Sequence, residues 1–115
     1  MIKRLEAGKR RSMATIHGGL VYLAGQVPDD LSVGLEAQAA QVLAKIDALL
    51  TEAGTGKSTI LSATVRLPDI ADFAAFNIVW DAWVPAGVSP ARACVEARLA
   101  NPSIRVEIAA IAAIP

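Results

Sequence analysis

Pro90-Ala91-Arg92-Ala93-Cys94-Val95-Glu96-Ala97-Arg98-Leu99, followed by Asn101-Pro102 and then Ile104 to Ile114, is the stretch that decides how this chain folds. Its first part alternates: Arg92, Cys94, Glu96 and Arg98 fall on one face, and Ala93, Val95, Ala97 and Leu99 on the other. A period of two marks a half-buried strand. The second part does the same, with Arg105 and Glu107 opposite Ile104, Val106 and Ile108. Asn101-Pro102 is a turn signal between them, so the pair is expected to form an antiparallel hairpin. From Ala109 to Ile114 no polar side chain remains on either face, and a strand apolar on both sides must be covered on both sides. Arg92 and Glu107 are therefore expected near a water-poor region, where an unpaired guanidinium is costly. Three partners would satisfy it: Glu107, another carboxylate such as Glu96, or an anionic ligand.

A chain of 115 residues is one domain by length, large enough to bury a modest core. Hydrophobic residues make up 54% and charged residues 19%, against usual values of about 45–50% and about 25%. The excess is mostly alanine and aliphatic side chains, and a small domain of that kind is expected to hide some surface against copies of itself. The net charge of +0 supplies no global field for nucleic acid or an acidic membrane. One cysteine cannot form an intramolecular disulfide, in keeping with a reducing compartment. No apolar run approaches the roughly 18 residues that span a bilayer. The basic N-terminal residues Lys3, Arg4, Lys9, Arg10 and Arg11 are not followed by an apolar signal core. A soluble, cytoplasmic protein is the reading, with residues 1–11 a solvated or edge-strand segment.

In chain order, Met13–His17 and Leu20–Ala24 read as two strands joined by Gly18-Gly19. His17, the one histidine, has no Asp, Cys or second His nearby and is read as a surface residue. A helix is expected from about Gly34 to Ala53, with Leu35, Ala39, Val42, Leu43, Ile46, Leu49 and Leu50 as its apolar stripe. Glu36, Gln38, Gln41, Lys45, Asp47 and Glu52 cover the rest, and Gly54 stands where a capping glycine belongs. Gly54-Thr55-Gly56-Lys57-Ser58 imitates a phosphate loop but has Thr51 where the first glycine is required, and it follows a helix instead of a strand. Ser58–Leu67 alternates as a strand, with Leu61, Ala63, Val65 and Leu67 on one face against Ser62, Thr64 and Arg66. Asp69 is a cap for a second helix running to about Val84, whose stripe is Ile70, Phe73, Asn77, Trp80 and Val84, flanked by Phe76 and Trp83. Asn77 interrupts that aromatic stripe and needs a hydrogen-bond partner, either a neighbouring strand or loop or a ligand. Cys94 reads as an inert small apolar group with no base beside it.

Both helices have one apolar stripe, so they can cover one face of a single mixed sheet, an α+β fold. Several motifs resemble the RidA family (reactive intermediate/imine deaminase A, also YjgF-like). They are Pro90-Ala91-Arg92, Val95, Arg98-Leu99 and Val106-Glu107-Ile108, together with the early strand Val21–Pro28 and the helix segment Asp72–Asn77. The likeness extends over nearly the whole chain from about Gly18. It implies a homotrimer with sheets inward and helices outward, and ligand pockets between subunits. It also implies hydrolysis of small 2-imino acids, or their enamine tautomers, to 2-keto acids and ammonia, without a metal or organic cofactor. By the same likeness Asn77 borders the pocket, and main-chain groups at Cys94 and around Ala24 and Gly25 shape it. Chemistry agrees with these roles. The planar fork of Arg92 can hold a carboxylate by two parallel charge-assisted bonds, and Glu107 can orient a water and accept its proton. A simpler arrangement pairs Arg92 and Glu107 with each other, or with Arg98 and Glu96. Two positions depart from the family pattern: Arg10-Arg11-Ser12-Met13 replaces a proline-and-aromatic segment, and Ala24 stands where serine is common. The other function considered is binding or sensing of a 2-keto acid without turnover; nothing resembles a phosphodiester site.

Overall fold

A computed structural model describes residues 1–115, and in it one mixed sheet carries both helices on the same face. The strands are β1 (Lys3–Leu5), β2 (Ala14–His17), β3 (Leu20–Gln26), β4 (Ile60–Leu67), β5 (Ala91–Glu96) and β6 (Glu107–Ala113). Helix α1 spans Leu35–Glu52 and helix α2 Phe73–Trp83. The sheet order is β1-β2-β3-β6-β4-β5, with β4 and β5 parallel and every other pair antiparallel. The short edge strand β1 lies within the basic N-terminal segment. The whole molecule is a slab of 41 × 38 × 20 Å, one layer of sheet and one of helix.

The expected hairpin does not form. β6 pairs with β3 and β4, while β5 lies on the far side of β4 at the sheet edge. The physical reason is the double-sided apolarity of β6, which suits the middle of a sheet, whereas β5 carries charge and tolerates an edge. Asn101 does make its turn, accepting Ser103 N–H at 2.8 Å on Oδ1 and Ile104 N–H at 3.0 Å on its carbonyl. That turn lies inside a crossing loop from Ala97 to Val106. Gln38 pins this loop. Its Nε2 donates to Val33 O and Ser103 O at 3.0 Å each, and its Oε1 accepts from Arg105 N–H at 2.7 Å. The polar position expected for Gln38 is thus corrected: it is 1% exposed.

The core follows from the periodicities. Every member of the α1 stripe is buried, against Val21, Leu23, Ala63, Val65, Leu67, Ile108, Ala110 and Ala112 on one sheet face. Gly54, at φ +89°, ends α1: its N–H bonds to Thr51 O, and Thr55 N–H to Leu50 O, the paired bonds of a glycine C-cap. Two register details differ from expectation. An irregularity between Ile60 and Ser62 turns Leu61 outward and buries Ile60 in its place. The buried ridge of α2 is centred on Phe76 and Trp80, leaving Phe73 and Ile70 partly exposed. The second face of the sheet, bearing Tyr22, Ser62, Thr64, Ala93, Val95, Ala109 and Ile111, is covered by no element of the chain. No helix is long and apolar enough to cross a membrane.

Candidate functional site

The residues singled out from the sequence fall into two groups. In the first, β5 aims Arg92 and Cys94 at the helix side of the sheet. Arg92 pairs in register with Ala63 and Cys94 with Val65, both core residues, and laterally paired residues share a face. Arg92 Nη2 donates to Asn77 Oδ1 at 2.9 Å. Its Cζ lies 5.1 Å from the Trp80 ring centre, 5.8 Å from Phe73 and 5.9 Å from Phe76. Three aromatic rings and one amide therefore fix the guanidinium plane. The remaining nitrogen, Nη1, is buried with no hydrogen-bond partner. No carboxylate of the chain pairs with Arg92, so the suggested pairing with Glu107 or Glu96 is absent. Glu96 instead accepts Ile70 N–H at 3.1 Å. Burial pushes the Cys94 thiol above its usual range, partly opposed by the charge of Arg92.

The second group lies on the other face. Glu107 opens β6 opposite Arg66, and Arg66 Nη1 donates to Glu107 Oε2 at 3.1 Å. Between Leu23 and Gln26 the register of β3 against β6 slips by one residue, a bulge containing Ala24 and Gly25. Gln26, buried at 1% exposure, steadies the bulge by donating to Ala24 O at 2.8 Å. Glu107 lies across Gly25: a Cβ there would meet its Cδ at 2.9 Å and its Oε1 at 3.1 Å. Only glycine lets the carboxylate rest in this place.

Ala63 pairs with Arg92 and Arg66 with Glu107; being three residues apart on one regular strand, Ala63 and Arg66 point to opposite faces. Within one chain, Arg92 and Glu107 are therefore separated by the sheet, and the shared crevice expected from the sequence is not formed. None of the grooves of the single chain is lined by either residue; the largest, about 760 Å³, runs beside Pro68 and the loop from Glu96 to Pro102. The aromatic cradle of Arg92 was legible only as core, and Arg66 only as the polar side of a strand. His17 is exposed. No group of three or more His, Cys, Asp or Glu side chains is arranged to hold a metal ion.

With the geometry in hand, known proteins supply the context. The family model described as Endoribonuclease L-PSP matches residues 1–114. A RutC family protein of Haemophilus ducreyi is 47% identical over 114 residues, 99% of this chain and 97% of that protein. A crystal structure of a member of the YjgF protein family from Neisseria meningitidis superposes with a TM-score of 0.96 at 46% identity, covering 100% of this chain and 96% of that one. More distant is a 2-iminobutanoate/2-iminopropanoate deaminase of Salmonella typhimurium, 34% identical over 102 residues, 83% of this chain and 80% of that enzyme. A match over nearly the whole sequence, on a backbone this similar, makes the chain a member of the YjgF/RidA family.

Proposed function

We propose that this protein hydrolyses small 2-imino acids, or their enamine tautomers, to 2-keto acids and ammonia, in pockets formed between copies of the chain. The observation that carries this reading is the state of Arg92. Its guanidinium is held rigid by Asn77 and three rings, yet it keeps one buried nitrogen without a partner. A small carboxylate is the ligand that a planar, partly desolvated fork of this kind accepts. The name of the 34% identical relative points to the same substrate class.

Assembly belongs to the proposal. The uncovered sheet face is apolar around Tyr22, Ala109 and Ile111, and a homotrimer with sheets inward would bury it. For one ligand to reach both groups, the edge strand β5 that carries Arg92 would have to meet the Glu107 face of a neighbouring copy. Arg92 then holds the substrate carboxylate and so fixes the imine carbon. Glu107 accepts a proton as water attacks that carbon, the C=N π electrons pass to nitrogen, and a carbinolamine forms. Glu107 returns that proton to nitrogen, the C–N bond breaks as the hydroxyl lone pair forms C=O, ammonia leaves, and the hydroxyl proton passes back to Glu107. The iminium is electrophilic enough that the chain's own residues suffice for each step.

One observation favours a second reading, a binder of 2-keto acids without turnover: Arg66 already occupies one oxygen of Glu107. The test separates the two. Imine is generated with a threonine dehydratase, and keto-acid release is timed with and without this protein. Acceleration that disappears in Arg92→Ala supports hydrolysis. Keto-acid binding without acceleration supports the binder.

A further inference from the structure

We infer that Arg66 is a positioning residue for the proton-accepting carboxylate, and that it assigns the two oxygens of Glu107 different roles. This rests on the hydrolase reading above. The cross-strand pair puts Arg66 beside Glu107 on the open face, and its Nη1 holds Oε2 at 3.1 Å. On the single chain the side chains are 37% and 27% exposed, and an ion pair so accessible contributes little to the fold of one copy. Its consequence is geometric. With Oε2 engaged, Oε1 takes no hydrogen bond from the chain and lies over the bare Cα of Gly25. That oxygen is the one left to receive the proton of an attacking water, above a backbone bulge that only a residue without Cβ can furnish. Val95, paired with Arg66 on its other side, offers no competing polar group. Glu107 is the only carboxylate bonded to this guanidinium.

The experiment compares wild type with Arg66→Met, Arg66→Lys and Gly25→Ala in the coupled imine assay, alongside 2-oxobutanoate binding. Arg66→Met is expected to lower kcat about tenfold, by analogy with the loss of groups that orient metal ligands, while KM and keto-acid Kd stay within about twofold of wild type. Arg66→Lys restores part of kcat, and Gly25→Ala lowers kcat by displacing Oε1. An unchanged kcat in Arg66→Met, or a KM that rises in step with the fall in kcat, overturns the assignment. A wild-type protein that never accelerates hydrolysis would sink the hydrolase reading alone. The positioning claim is then decided by a crystal structure of Arg66→Met: it requires the Glu107 carboxylate to leave Gly25, and an unmoved carboxylate refutes it.

Discussion

Replacing Arg92 by methionine separates a structural pillar from a waiting anchor. Methionine keeps an unbranched apolar stem against Phe73, Phe76 and Trp80 and removes the charge. The losses are a cation–π stack, about 0.5–2 kcal/mol, and one charge-assisted bond to Asn77, about 1.5–3 kcal/mol. The gains are relief of a buried, unpartnered N–H at Nη1, about 1–3 kcal/mol, and sulfur–aromatic contact of about 0.3–1.5 kcal/mol. Partial desolvation of the cation adds a further relief. The opposing terms nearly cancel, so Arg92→Met should shift the unfolding free energy by no more than about 1 kcal/mol. A guanidinium that holds the fold through a buried ion pair would instead cost about 3–5 kcal/mol on removal. Urea unfolding at one fixed protein concentration measures the difference. The same titration with 2-oxobutanoate at about 100 times its Kd should stabilise wild type by about 2.7 kcal/mol and leave the variant unmoved. A loss of about 3 kcal/mol or more in the unliganded variant, or keto-acid stabilisation that survives it, would refute the anchor role of Arg92.

Gln38→Leu removes three near-ideal hydrogen bonds, two to the crossing loop and one to Val33, each worth about 1 kcal/mol, and should lower Tm by roughly 10 °C. Calorimetry showing a drop under about 2 °C would mean that the loop holds itself. The Glu6 carboxyl beside Glu52 raises its carboxyl above the ordinary range, opposed by the charge of Lys3. A raised carboxyl pKa contributes stability below the unfolded value and loses it as pH rises through the folded one. Glu52→Gln should therefore gain Tm over wild type near neutral pH and not in mild acid, and a gain independent of pH would argue against repulsion from Glu6. Cys94, its thiol pushed up by burial, should react with iodoacetamide at neutral pH more slowly than free cysteine and speed up only in alkaline solution. Rapid alkylation near neutrality would show a thiolate that this environment does not favour.

Local order was legible in the residues and pairing was not, for a physical reason. The stripe of α1 and the alternation of β4 and β5 are properties of neighbours along the chain, so one sequence reveals them. Gln38 looked like surface because its periodic position is polar, and its partners, Ser103 and Arg105, lie far away in the chain. Phe76 and Trp80 looked like plain core, though they also form the cradle of Arg92. The hairpin failed because a turn signal is short-range, while β6 needs an apolar neighbour surface on both faces and a strand on both edges. That same misplacement hid the geometry of the site. Adjacent strands of a hairpin can set two chosen side chains on one face, whereas the observed order puts β4 between β5 and β6. Parity then decides: Arg92 shares the face of Ala63, Glu107 shares the face of Arg66, and a sheet has no way round for side chains of that length. If a single ligand is to meet both groups, two copies of the chain must supply them, so the proposed hydrolysis requires assembly.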